Sequence, residues 1–482
     1  MSVNPIVFVG AAAVVVFSSL ALLKLKAANK QPGAMDLQSR MNPSEPTSTA
    51  LFGVLQRVAL LVPSAAVGVI FLVPYLLGLA VYGRPPIVPS PSAFGNMFYL
   101  CLFKMCRERN YLSYKVRLFL YFLQTLFLQP AYGVLWFLDD VLFPGYRAVK
   151  IVEPCFIIGD ARTGTTQYVQ ILGDDAKNFC APITLNALIP FMHAWKIGTF
   201  LKSFMTASMV EKAEEFAESL YFSFLPKEFQ TRHEGGLWRP DTFEVQYNSW
   251  RVEFFVQLID MNLTAENWWF PMEEQRADFL RFIDAIWKKV AYHRGVPGQK
   301  MLIKGHFLIE CPALEKMYPG AYFVALAREP EPRLMSQINF LWVGPWHALA
   351  GVPQTVLKDL TKVLVNRVCE YSEQERMFFS ESSSNKAHAR RLSIPFEGYV
   401  KEIDVSIKNT YSLCDIAVPA TVETRLAEHA EEHRHWTQTR VKHSPDFTLD
   451  ELGVDRVALA KRHEKYLPRC VLPPTPKKKG NK

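Results

Sequence analysis

The chain has 482 residues, 49% of them apolar and 13% aromatic, which is enough side-chain area to close a sizeable core and excludes a disordered protein. Lys and Arg exceed Asp and Glu by 8, an excess that suits an anionic ligand or a membrane surface but is too diffuse to argue for nucleic acid. Eight cysteines, at 101, 106, 155, 180, 311, 369, 414 and 470, form no CxxC pair and have no His placed to complete a zinc set. No structural zinc is therefore expected, and both disulfides and buried thiols stay open.

The first element is an uncharged run over residues 6–23, followed at once by Lys24, Lys26 and Lys30. Its 18 residues are long enough to span a bilayer, and charge placed after the apolar stretch favours a retained anchor over a cleaved signal peptide. A second uncharged run of 25 residues covers 58–82 and ends at Arg84. A third, 118–138, is bracketed by Arg117 and Asp139 and interrupted by Gln124, Gln129, Pro130 and Gly133. It reads as a span, an interfacial element or a buried helix.

Basic residues set the orientation. With two spans, Lys24, Lys26, Lys30 and Arg40 hold the 24–57 loop in the cytosol. With three, the cytosolic loop is the one carrying Arg84, Lys104, Arg107, Arg109, Lys115 and Arg117. Either count puts the C-terminal bulk in the lumen of the secretory route, Golgi or ER, and the sequon Asn262-Leu263-Thr264 is compatible with that side. The expected organisation is a membrane anchor over 1–90, a membrane-proximal apolar region over 91–149, a catalytic domain over 150–470 and a disordered basic tail over 471–482.

The Pro-rich stretch 84–91 reads as a linker leaving the second span. From residue 151 onward short apolar runs alternate with amphipathic segments, the pattern of an α/β domain with a central parallel sheet. Strands are expected at Cys155–Ile158, 301–303, 322–326 and 392–396. A helix is expected over 278–292, where Phe279, Phe282, Ile283, Ile286 and Val290 recur at helical spacing. The middle region, 175–300, is rich in Trp and Phe.

The first strand runs into Gly159-Asp-Ala-Arg162-Thr163-Gly164-Thr165-Thr166, after which Tyr168, Val169, Ile171 and Leu172 begin a helix. A glycine-bearing turn between strand and helix aims backbone N–H groups at one point, where the helix dipole also favours negative charge. A nucleotide-hydrolysing P-loop carries Lys directly after its last Gly, then Ser or Thr for magnesium. Here Thr165 holds the Lys position and the cation is Arg162, two residues upstream of Gly164. A guanidinium fork and two threonine hydroxyls suit a phosphate or sulfate that arrives without a metal.

This loop resembles the 5'-phosphosulfate loop of the sulfotransferases that use 3'-phosphoadenosine-5'-phosphosulfate (PAPS), of the form (Lys/Arg)-Ser-Gly-Thr-Thr. Arg162-Thr163-Gly164-Thr165-Thr166 matches it with one Ser-to-Thr change. The family's second signature is an Arg at a strand end and a Ser eight residues later on the next helix, together binding the 3'-phosphate. Arg328 and Ser336, in Ala327-Arg328-Glu-Pro-Glu-Pro-Arg333-Leu-Met-Ser336, have that separation. Between the two motifs Leu302-Ile-Lys304-Gly-His306 resembles the Lys-x-His segment of many soluble members, without the usual Pro after the His. Farther on, Ile394-Pro-Phe-Glu-Gly-Tyr399 and the run from His443-Ser444 through Phe447, Leu449 and Leu452-Gly453 to Tyr466-Leu467 resemble the membrane-associated branch. The resemblance covers about 150–468.

The resemblance implies a P-loop-like three-layer α/β domain that moves a sulfuryl group from PAPS to a hydroxyl or amine of a glycan or of a lipid or sterol-like acceptor, with no metal. Arg162, Thr163, Gly164, Thr165, Thr166, Arg328 and Ser336 would bind the donor. His306 would be the general base, and Lys304 or Arg162 would neutralise the leaving oxygen. If His306 is structural, the base falls to His233-Glu234 or Asp241-Glu244. The competing readings are a P-loop nucleotide kinase and an inactive membrane scaffold that keeps the fold.

Overall fold

The computed structural model describes residues 47–99, 112–223, 235–241, 273–306, 308–341, 357–380, 390–439 and 448–464. The apolar run 6–23, the Asn262 sequon, His233, Glu234, Glu244 and the tail lie outside the described residues. The described helices are α1 (Thr47–Tyr82), α2 (Pro91–Tyr99), α3 (Leu112–Leu142), α4 (Thr165–Gly173), α5 (Thr184–Leu188), α6 (Met192–Lys202), α7 (Ala207–Ser223) and α8 (Glu273–Arg294). Then follow α9 (Cys311–Met317), α10 (Pro330–Leu341), α11 (Leu357–Ser380), α12 (Phe396–Lys401), α13 (Ile403–Leu413), α14 (Ala420–Thr439) and α15 (Arg456–Glu464).

Five strands form one parallel sheet: β1 (Cys155–Ile158), β2 (Phe179–Cys180), β3 (Lys300–Gly305), β4 (Tyr322–Ala327) and β5 (Arg391–Pro395), in the order β2-β3-β1-β4-β5. β1, β3 and β4 contain the apolar runs expected from the sequence, and β5 contains 392–395 of the run expected at 392–396, Phe396 instead opening α12. The two-residue β2 is too short to show a pattern.

A parallel sheet covered on both faces needs strands that are apolar on both sides, and β1 is buried along its whole length. Alternation then sends Phe156 and Ile158 to one face and Cys155 and Ile157 to the other, where they join two separate cores. On the first face Phe279, Phe282, Ile286 and Trp287 of α8 pack with Phe156 and Phe323. On the second, Tyr168, Val169 and Leu172 of α4 and Ile407 and Tyr411 of α13 pack with Ile157 and Val324. Helix, sheet and helix make the three layers. Cys155, Cys180, Cys311, Cys369 and Cys414 are buried free thiols.

Val58–Tyr82, inside α1, is long and apolar enough to cross a membrane, and it exposes Val62, Val69, Ile70, Val73, Leu77 and Val81. The apolar run 118–138 lies in α3, whose inner half is core: Leu128, Tyr132, Leu135 and Trp136 belong to the same cluster as Phe156 and Ile303. α1 and α3 pack closely because glycine lines their seam. A Cβ on Gly68 would come 2.2 Å from the Phe127 carbonyl oxygen, and one on Gly133 would come 2.3 Å from Tyr75 Cε2.

The stretch after α1 is packed rather than loose. Arg84 forks onto Asp278 of α8 at 3.0 and 2.5 Å, the Ser90 N–H donates to the same carboxylate at 2.9 Å, and Ile87 and Val88 are buried. The inner end of α3 is fixed by a buried ionic knot. Asp139 accepts from the backbone N–H groups of Met192 and His193 at 2.7 and 2.8 Å and pairs with Lys289 at 2.8 Å, whose ammonium stands 3.2 Å from the centre of the Trp136 ring. Burial alone would raise the Asp139 carboxyl, but Lys289 and His193 more than offset it and bring it to about 2.

Candidate active site

The strand order places the site. β1 sends its chain toward β3 and β2, whereas β4 sends its chain the other way, to β5. A crevice opens above the carboxyl ends of β1 and β4, which is where open α/β sheets bind ligands. The phosphate-loop residues follow β1, Arg328 follows β4, and His306 follows β3 beside them.

The loop after β1 closes on itself before it faces outward. The Thr163 hydroxyl donates to the Asp160 carbonyl at 2.8 Å, so it holds the turn in place. Gly164 caps α4 in the left-handed region, at φ 88°, where a side chain would be strained and its Cβ would stand 3.1 Å from both Phe396 and Tyr399. Arg162 also has positive φ, 70°, which is uncommon for a non-glycine residue. Its guanidinium is thereby sent across the crevice, where Nε donates to Ser336 Oγ at 3.1 Å. Arg328 returns the contact, donating from Nη1 to the Arg162 carbonyl at 2.6 Å while its guanidinium lies 4.5 Å from the centre of the Phe396 ring. The two motifs, read 166 residues apart, therefore meet. The Ile394–Tyr399 resemblance is placed too: Phe396 and Tyr399 wall the loop.

Thr165 occupies the first turn of α4 and is buried. Thr166 accepts a hydrogen bond from Lys304 Nζ at 2.7 Å, and the same ammonium pairs with Asp241 Oδ1 at 2.5 Å. Lys304 thus arrives from β3 directly onto the phosphate loop. His306 is half-buried; its Nδ1 lies 2.6 Å from the Gly159 carbonyl oxygen and must carry the proton there, so Nε2 carries the lone pair. Burial, followed by the Lys304 charge, pushes the imidazole down to about 4, so it is neutral at pH 7.

Beneath these groups lies a charged layer that no motif announced. Asp160 is buried and bonds to Arg367 at 2.7 Å and Gln337 at 2.7 Å, with Arg333 at 3.6 Å. Burial would raise this carboxyl, but Arg367 and Arg333 outweigh it and hold it below the usual range. Asp160 and Arg333 sit inside the two sequence motifs without an assigned role. Arg367, Tyr371 and Glu375 recur at helical i, i+4 spacing as a polar stripe on an otherwise apolar face of α11, a signal legible in the sequence.

The donor set fits a bisphosphate ligand: two guanidiniums, an ammonium and hydroxyls of Ser336 and Thr166 gather at the carboxyl end of the sheet around a helix N-terminus. No family model matches the chain, and no curated protein matches it. Solved structures do. The crystal structure of the sulfotransferase STF9 from Mycobacterium avium superimposes with a TM-score of 0.55 over 82% of this chain and 94% of that one, at 13% sequence identity. That of the sulfotransferase STF1 from Mycobacterium tuberculosis H37Rv gives 0.51 over 80% and 96%, also at 13% identity. With the three-layer domain, its parallel sheet and the placement of the loop after β1, this likeness shows that the chain has the sulfotransferase fold.

Proposed function

We propose that the chain is a membrane-anchored sulfotransferase that takes a sulfuryl group from PAPS and places it on a hydroxyl or amine of a glycan or of a lipid or sterol-like acceptor. The observation that carries the reading is the meeting of Arg162, Arg328 and Ser336 in one crevice at 3.1 and 2.6 Å. A kinase reading needs a Lys where Thr165 is buried. An inactive scaffold has no use for three converging donors.

PAPS supplies the activated sulfuryl group; everything else is work for the chain. Arg328 and Ser336 hold the 3'-phosphate, and Arg162 with the start of α4 holds the 5' side. His306 Nε2 takes the proton from the acceptor, since it bears the lone pair and is neutral at working pH. Lys304, fixed on Thr166, and Arg162 neutralise the negative charge that grows on the leaving oxygen, which in a partly buried site is the larger contribution. The exposed apolar face of α1 supports anchoring in a membrane, and the basic residues of the sequence favour the secretory route, Golgi or ER, with the domain in the lumen.

The test is thermal-shift titration of the detergent-solubilised protein with adenosine 3',5'-bisphosphate, beside magnesium-ATP. Stabilisation by the bisphosphate is expected, and Arg328→Ala should weaken it by about 2 kcal/mol, roughly thirtyfold in affinity. Stabilisation by magnesium-ATP alone would overturn the proposal in favour of a kinase. Transfer of labelled sulfate from PAPS to lipid and glycan extracts then identifies the acceptor.

A further inference from the structure

α11 crosses behind the site and touches the phosphate loop, the segment after β3 and helix α10. From one face of the helix, Arg367 Nη2 reaches Asp160 Oδ1 in the phosphate loop at 2.7 Å, and its Nη1 reaches Gln337 Oε1, next to Ser336, at 3.4 Å. One turn on, the Tyr371 hydroxyl donates to the His306 carbonyl at 2.8 Å. The Arg367 guanidinium lies 4.7 Å from the centre of the Tyr371 ring, so the two side chains brace each other. On the same helix Val368 O and Ser372 Oγ each accept from Arg333 Nη2 of α10 at 2.8 Å. Gln337 closes the loop of contacts, donating to Asp160 Oδ2 at 2.7 Å and to the Ala161 carbonyl at 3.0 Å.

The strands β3, β1 and β4 are neighbours in the sheet, and their three carboxyl-end segments carry the base, the 5' side and the 3' side of the site. One helix holds all three. The charge in these contacts is a poor way to glue a helix down, because desolvating two guanidiniums and a carboxylate offsets much of their attraction, and an apolar face of the same shape holds equally well. Charged and hydrogen-bonded contacts differ from apolar ones in direction. They fix the heading of a loop, and Arg162 at positive φ needs its heading fixed if its guanidinium is to lie across the crevice.

Resting on the sulfotransferase reading, we infer that Arg367 and Tyr371 are positioning residues: Arg367, through Asp160 and Gln337, keeps the two phosphate subsites in register, and Tyr371, through the His306 carbonyl, keeps the base in place. Neither touches the reacting atoms. Their effects therefore separate, which a merely structural role would not produce.

The experiment measures affinity for adenosine 3',5'-bisphosphate and for adenosine 5'-monophosphate on the full chain in detergent, and release of the bisphosphate from PAPS, with water as acceptor where no extract component serves. Asp160→Asn/Arg367→Met removes both halves of the 2.7 Å ion pair, while Arg333 keeps its acceptors on Val368 and Ser372. The preference for the bisphosphate over the monophosphate should fall by about tenfold, the scale expected when a binding group is misplaced by a fraction of an ångström. Tyr371→Phe should leave the bisphosphate affinity within about twofold and lower turnover by about tenfold. If the double variant does not fold, Gln337→Met reports the same preference. A preserved preference in the double variant (or in Gln337→Met), or equal losses of affinity and turnover in Tyr371→Phe, overturns the inference. A wild-type protein that binds no bisphosphate overturns the sulfotransferase reading instead.

Discussion

His306 is a histidine displaced from the pH range in which histidines usually switch. With its imidazole pushed down to about 4, His306 stays neutral far below the usual range, so in the proposed base role the acid limb of the activity profile is expected near pH 4 and not at 6.5. A pH–rate profile with its half-point at 6.5 would remove His306 from the role. Two buried carboxyls behave oppositely. Burial raises Glu310 and Glu375 to about 7, against an ordinary 4.5 in the unfolded chain. Between those values the folded state binds more protons than the unfolded one, so their contribution to stability is present below pH 4.5 and is lost as pH rises toward 7. Glu375→Gln should flatten the fall in melting temperature between pH 5 and 7, measured by thermal unfolding across that range. At this scale much of the site was legible. Arg162, Gly164, Arg328, Ser336 and Lys304 are carried by short motifs, and the structure gathers them. Asp160, Gln337, Arg367 and Tyr371 were not read: the helical spacing of Arg367 and Tyr371 marks a polar stripe but not its partners, and the contacts in this layer join residues 30 to 177 positions apart.

Among the elements, the strands were the most readable, since a strand buried on both faces is an uninterrupted apolar run and has few other readings. α3 was the least. An uncharged stretch of that length satisfies a bilayer and a protein core equally, and only the tertiary structure distributes it, with Trp136 fully buried against α8 and Phe127 partly exposed. The polar interruptions were the clue: Gln124, Thr125 and Gln129 are buried in protein, and Gln129 donates to the Thr125 carbonyl at 3.1 Å. Trp136→Ala should therefore cost about 3–5 kcal/mol, seen as a lowered melting temperature of the whole fold. A change confined to membrane association would contradict its placement. On the α1–α3 seam, Gly68→Leu has no room beside the Phe127 carbonyl, and should separate the helices at a cost of roughly 1–3 kcal/mol.

Taken whole, the molecule does not divide where its composition changes. The sequence suggests an apolar beginning followed by an α/β domain, yet Ile87, Val88, Leu135 and Trp136 share one core with Phe156, Ile303 and Phe323. At the C-terminal side, Leu449, Leu452 and Leu459 are buried, and Arg456 pairs with Glu331 of α10 at 2.5 Å, so residues beyond α14 also brace the helix that carries Ser336. The knot of Asp139, His193 and Lys289 adds a polar lock between α3, α6 and α8. An enzyme tethered by a pliant stalk can be shed as an active soluble fragment by one proteolytic cut. Here a cut ahead of α3 removes Ile87 and Val88 from the shared core, and a cut behind it also strips Trp136 and Asp139 from the interior. On the proposed anchoring, shedding is closed to this architecture, and an acceptor would have to be met at the membrane.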